Sequence, residues 1–198
     1  MTGAQRRDRI LATSLELFAK RGFSATRTKD VARAAGVSEA MVFKHFPDKK
    51  SLYRALIEAK IAEAEMILPL AALAESRDPP ERFFGRVASI LLERIEEDPS
   101  FLRLLLFSAL EEHPLAAEFD EARAQSVRRA IEAYVARQQG AGVLRRVDPE
   151  FAARSFMGLV AWFALARNVF KEPGSRKFGR AKLVRELMKL FLGGIRSK

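Results

Sequence analysis

The chain has no cysteine among its 198 residues. Disulfides, thiol nucleophiles and cysteine-based zinc sites are therefore excluded. Histidine is almost as scarce. His45 has no second histidine or close carboxylate cluster beside it, and His113, directly before Pro114, reads as a helix end. Neither a metal site nor a nucleophilic triad can be assembled from them. Glycine (11) and proline (8) are modest, which argues against disordered and collagen-like classes. Phosphate-cradling glycine loops are missing too. Gly140-Ala141-Gly142 carries Arg145 where a dinucleotide fingerprint needs a third glycine, and no strand-like run precedes it. No enzyme activity and no cofactor are expected.

Long apolar runs are also lacking. The longest uncharged stretch, Ser155 to Ala166, falls well short of the roughly 20 residues that span a bilayer. The first ten residues, MTGAQRRDRI, have no apolar core of a signal peptide. A soluble, cytoplasmic protein with no membrane partner is the expectation.

What is present is charge, unevenly placed. The net charge is +10. Residues 1–54 hold 12 Lys/Arg against 5 Asp/Glu, and residues 171–198 hold 9 against 2, while the middle is acidic. A basic head is the electrostatic footprint of a nucleic-acid binder. The basic tail reads most simply as the solvated face of a last helix.

Apolar spacing predicts about nine helices and no strand, an all-α chain. Residues 4–21 form an amphipathic helix ended by Gly22. Thr26 and Thr28 are candidate N-caps for a second helix over 29–35. Gly36 suits a left-handed helix stop, and Ser38 suits the N-cap of a third helix. Pro47 stops that helix, and Asp48 caps a long one to about Ala74, with a kink or break at Pro69. Further helices are expected over 80–97, 100–112, 115–139, 149–171 and 180–192. Two short helices around a glycine-containing turn make a helix-turn-helix, whose second helix enters a DNA major groove. The domain boundary falls after Pro47. It separates a helix-turn-helix DNA-binding domain, 1–47, from a larger helical domain, 48–198, with no flexible linker.

The head resembles the tetracycline-repressor (TetR) family of bacterial transcription regulators. The matching residues are Phe18-Ala19-Lys20-Arg21-Gly22-Phe23, Ala25-Thr26, Asp30-Val31-Ala32, Ala35-Gly36-Val37-Ser38 and Phe43-Lys44-His45-Phe46, followed by Lys49 and Leu52. The resemblance covers roughly residues 6–57; the rest matches only in length and helical character. It implies a three-helix head with a helix-turn-helix, a larger helical-bundle body over 48–198 that binds ligand and dimerises, and repression relieved by a small molecule. Glu39, Ala40 and Phe43 depart from the family's frequent choices.

The candidate DNA contacts are Thr28, Lys29, Ser38, Glu39, Ala40, Met41, Phe43, Lys44, His45 and Lys49. Lys29, Lys44 and Lys49 are phosphate candidates, and Thr28 is either a phosphate donor or a cap. Glu39, Ala40 and Met41 lie where base edges would be met. Glu39 can accept from cytosine N4 or serve only the helix dipole, and Ala40 can touch a thymine methyl. Arg6, Arg7 and Arg9 read as a DNA arm or as a frayed end. Phe101, Leu105, Phe107, Tyr134, Phe156, Trp162 and Phe163 are candidates to line a pocket for a small hydrophobic ligand. Arg103 or Arg167 could meet an anionic group on it. Gly158, Ala161, Leu165, Leu187 and Phe191, on the last two helices, are candidates for a homodimer interface. The expected partner is double-stranded DNA carrying a pseudo-palindromic operator. The alternatives are a non-specific or architectural DNA-binding protein and a helical lipid or small-molecule carrier.

Overall fold

A computed structural model of the chain describes residues 2–67, 72, 75–112 and 125–195. These residues form nine α-helices: α1 (Gly3–Arg21), α2 (Thr28–Ala35), α3 (Glu39–His45), α4 (Lys49–Ile67), α5 (Pro80–Glu97), α6 (Ser100–Leu110), α7 (Gln125–Gly140), α8 (Pro149–Asn168) and α9 (Arg180–Ile195). The all-α reading from sequence holds. Pro69, His113, Pro114 and the expected helix start at Leu115 lie outside the described residues.

Local chemistry sets most boundaries. Thr2 and Gln5 form a reciprocal capping box at the start of α1. The Ser38 hydroxyl accepts from the Met41 N–H at 3.2 Å and starts α3. Asp48 accepts from the Ser51 N–H at 2.7 Å and starts α4. Asp148 accepts from Phe151 at 2.7 Å ahead of Pro149. Gly36 closes α2 in the left-handed region, at φ 66°, as its lack of Cβ permits. One cap differs from expectation. Arg27 precedes α2 without a side-chain cap. Thr26 is buried and donates to the Gly22 carbonyl at 2.8 Å, and Thr28 already lies inside α2. The expected caps are thus engaged elsewhere.

Packing divides the chain into two compact units, Met1–Met66 with Ser100–Asp120, and Ile67–Pro99 with Glu121–Lys198. The boundary expected after Pro47 followed the motif, whereas packing draws α4 and α6 together with α1–α3. In the first unit α1 buries Ile10, Leu15 and Phe18 against Val31 and Ala35 of α2, Val42 of α3, Leu52 and Tyr53 of α4, and Leu104 of α6. Each large apolar side chain buried this way is worth about 1.5–3 kcal/mol. The α3 helix contributes only Val42 to the fully buried set, so the rest of its surface is left for other use.

In the second unit α7 packs on α8, and α9 on α5. Aromatic rings fill the centre. Phe83 stacks on Tyr134 with centroids 3.6 Å apart, and Phe84 meets Phe156 and Phe191, each at 4.9 Å. The Tyr134 hydroxyl donates to the Asp78 carbonyl at 2.6 Å. A charged chain lies at one edge: Arg167 to Glu96 at 3.2 Å, Arg180 to Glu96 at 3.3 Å, and Arg180 to Glu93 at 2.7 Å.

Burial pushes the phenol of Tyr134 up to about 12, and Tyr53 is raised as well, first by burial. A raised phenol pKa leaves stability intact below the unfolded value of about 10 and removes it as pH rises through the folded value. These are the chain's two tyrosines. Tyrosinate absorbance should therefore appear later than for a free phenol, with Tyr134 ionising near pH 12 together with loss of helical circular dichroism. A tyrosine titrating at pH 10 in folded protein would contradict this packing.

Candidate nucleic-acid interface

The helix-turn-helix is built by α2, the turn at Gly36-Val37-Ser38, and α3. The Val37 N–H returns to the Ala32 carbonyl at 3.0 Å, which fixes the angle between the two helices. Ser38, Glu39, Ala40, Phe43 and Lys44 are exposed, and Met41 and His45 are half-buried. Phe43, at 42% exposure, presents its ring to solvent. The α3 helix thus shows an open face at both its first and last turns. Lys29 and Lys44 are exposed, and no ion pair among the described residues engages either. Arg7 lies over the Phe46 ring at 5.2 Å, and the Arg9 guanidinium comes close to Gly36. Both α1 arginines therefore border the motif from within a helix, where a frayed end was an open alternative.

Besides Ser38, which caps α3, the candidates Thr28, Glu39 and Lys49 have side-chain partners within the protein. The Thr28 hydroxyl donates to Glu39 Oε1 at 2.6 Å. The Lys49 ammonium donates to the carbonyls of Phe23 at 2.8 Å and Thr26 at 3.0 Å, and sits 4.1 Å from the Phe23 ring centroid. Desolvation lowers its pKa, opposed by the charge of Glu111. Lys49 therefore ties the α1–α2 turn to the start of α4, and two of its three N–H donors are committed there.

Glu111 holds the same turn from the other side. Its carboxylate accepts from the Phe23 N–H at 2.9 Å and the Ser24 N–H at 3.3 Å. Gly22, at φ 80°, leaves the space that the carboxylate fills, and a Cβ there would collide with it. Two further contacts join α6 to the head. Arg103 Nε donates to the Ala19 carbonyl at 2.9 Å, and the hydroxyls of Tyr53 and Ser108 share a short hydrogen bond. Arg103 is thus engaged with backbone, and Arg167 with Glu96. Sequence reasoning missed Glu111 because its partners lie 87 and 88 residues away. Only the helix-stopping Gly22 hinted that something approached.

The remaining candidates divide between the two units. Phe101, Leu105 and Phe107 are half-buried on α6. Tyr134 and Phe156 are fully buried in the aromatic centre of the second unit, where ring–ring contact occupies them. Phe163 is half-buried and Trp162 is 56% exposed. Among the interface candidates, Gly158 and Ala161 are exposed and Leu165 is half-buried. Leu187 and Phe191, expected at a homodimer interface, lie on the inner face of α9 and pack into the core of their own chain. Phe151, Trp162 and Leu190 are the large exposed apolar residues of these two helices. No described helix is long and apolar enough to cross a membrane.

An all-α chain with an exposed, capped second helix in its helix-turn-helix is of the class of helical DNA-binding regulators. Residues 10–56 match the family described as bacterial regulatory proteins, tetR family, and residues 95–194 match the C-terminal domain of AefR-like transcriptional repressors. The chain belongs to the tetR family of bacterial transcriptional regulators. It is 36% identical over 108 residues to the nucleoid occlusion factor SlmA of Vibrio vulnificus, covering 54% of each chain. It spans about half the length of the curated relatives it matches. NalD, the secondary repressor of the MexAB-OprM multidrug efflux pump in Pseudomonas aeruginosa, superposes with a TM-score of 0.73 at 24% identity, covering 100% of both chains. AibR, solved with isovaleryl coenzyme A and operator DNA, gives 0.74 at 20%, covering 93% of this chain and 97% of its own. At these identities the two structures share the fold.

The Glu111 clamp makes a direct prediction. Glu111→Gln keeps the shape but removes the charge, leaving two turn N–H groups with a weaker acceptor and Lys49 without its counter-charge. The loss should be about 1–3 kcal/mol, read from urea unfolding. An unchanged midpoint would show that the clamp contributes nothing.

Proposed function

We propose that this chain is a transcriptional repressor that binds a pseudo-palindromic operator as a homodimer and is released by a small hydrophobic ligand. One observation carries the reading. An exposed α3 stands on a closed core, and α6, which falls within the match to the repressor C-terminal domain, is fastened into that same unit. The helix that reads DNA and a helix of the regulatory part thus share one packed body. NalD is a repressor, and AibR holds both an acyl coenzyme A and operator DNA. Their shared fold supports a ligand-responsive reading here.

In this reading Lys29 and Lys44 contact phosphates while Ala40, Met41 and Phe43 face base edges. His45 and Ser38 support the helix, and Lys49 acts mainly by holding the turn. The exposed face of α8, with Phe151, Gly158, Ala161 and Trp162, together with Leu190 of α9, meets the same face of a second copy. Small residues at 158 and 161 let two such helices approach closely. Of the pocket candidates, Leu105 and Phe107 in the first unit and, separately, Phe163 in the second are half-buried. The protein acts on DNA in the cytoplasm and catalyses no reaction.

Selection from fragmented genomic DNA, followed by competition at fixed salt, tests the central claim. A selected duplex should outcompete random DNA of equal length by about 10³ or more. If no duplex beats random sequence, the repressor reading fails. Lys44→Ala should weaken binding to all sequences alike and flatten the salt slope by about 1. Trp162→Glu should raise the dimer dissociation constant by about 30-fold or more in sedimentation, since charging the centre of an apolar contact costs about 2 kcal/mol. An unchanged constant would move the interface elsewhere.

A further inference from the structure

Glu39 is an anion on a surface that the proposed function brings against a polyanion. It is exposed on the first turn of α3. Its carboxylate is also tethered: Thr28 Oγ1, eleven residues back on α2, donates to Glu39 Oε1 at 2.6 Å. That bond settles the roles of both residues. A threonine hydroxyl has one proton to donate, and here it goes to the carboxylate. Thr28 is thus not free to donate to a phosphate while the contact stands. The carboxylate in turn is held in one orientation. It still has its second oxygen and most of its lone-pair sites open to solvent.

We propose that Glu39, held by Thr28, is the specificity-determining acceptor of the recognition helix and selects cytosine at one position of each operator half-site. The proposal rests on the operator-binding reading above. A carboxylate accepts hydrogen bonds and cannot donate them. In the major groove cytosine offers the N4 amino group as a donor. Guanine offers two acceptors, O6 and N7. Thymine offers an acceptor and a methyl group. Adenine offers a donor flanked by the N7 acceptor. A fixed carboxylate is therefore satisfied at cytosine, compromised at adenine and repelled at guanine and thymine. Discrimination comes as much from rejection as from attraction, because a charge brought into the groove without a donor is desolvated and unpaired. Thr28 acts as a positioning residue. It narrows the carboxylate to one rotamer, so that moving to a poor base cannot relieve the mismatch.

The test uses the duplex that the wild-type protein itself selects, with every half-site position changed in turn and affinities compared at fixed salt. The wild type should prefer cytosine over adenine about tenfold or more at one position per half-site. Glu39→Gln should bring that ratio within about twofold or invert it, since a glutamine amide pairs bidentately with adenine N6 and N7. Thr28→Val should leave cytosine preferred but with a smaller ratio, and Thr28→Ser should restore the wild-type ratio. If Glu39→Gln leaves every position unchanged, Glu39 reads no base and the proposal is overturned. If Glu39→Gln shifts the ratio and Thr28→Val does not, the positioning role is overturned. A wild type that selects no duplex at all defeats the repressor reading itself, and this proposal with it. That outcome is distinct from selection that proceeds but ignores residue 39.

Discussion

The turn between α1 and α2 is gripped from two sides by opposite charges, and the DNA-reading unit depends on that grip. Glu111 takes the N–H groups of Phe23 and Ser24, while Lys49 takes the carbonyls of Phe23 and Thr26. In the six-residue stretch between the two helices, two N–H groups and two carbonyls thereby find charged partners. Through Lys49 the turn is tied to α4, and through Glu111 to the end of α6. Gly22 makes this possible: only a residue without Cβ leaves room for the carboxylate and accepts φ of 80°. The neighbouring Phe18, Phe23 and Tyr53 rings, packed edge-on or stacked within about 6 Å, form an apolar floor beneath these half-buried contacts.

Much of this unit was legible in the sequence, and the part that was not has a common cause. Gly36, Ser38, Pro47 and Asp48 act within one turn of themselves, so spacing and residue type reveal them. The buried faces of α1 and α2 follow the 3.6-residue period. Glu111, Arg103 and Ser108 act on partners more than 50 residues away, and no local pattern carries that. Thr28 illustrates the same limit at shorter range. As a residue type it suits an N-cap, but its hydroxyl finds a stronger, charged acceptor in Glu39 across the turn. Leu187 and Phe191 show the converse. Their helical spacing marks an apolar face correctly, yet periodicity cannot say whether that face turns to its own core or to a second copy.

Arginine and lysine in this chain divide by what they are paired with rather than by where the charge is dense. Arg167 and Arg180 are neutralised by Glu96 and Glu93. Lys49 and Arg103 are engaged with carbonyls. Lys29 and Lys44 beside the helix-turn-helix stay in water. Releasing counterions from phosphate requires charges that the fold has not already used. Within the head, Lys49 is withdrawn from that surface by its carbonyl partners, whereas Lys29 and Lys44 remain available on α2 and α3.

That economy bears on how regulation can work. A ligand changes DNA affinity only by the difference in its affinity for the competent and incompetent states of the protein. A hundredfold loss of operator binding needs about 2.7 kcal/mol. Individual hydrogen bonds contribute about 1 kcal/mol each, and those to a charged group about 1.5–3. Each contact of Arg103, Ser108 and Glu111 with the head is of that order, so a ligand that acts by breaking them must favour the shifted α6 by at least as much as the broken contacts are worth. The head can stay folded while the turn that orients α2, and through it α3, loses one of its two anchors.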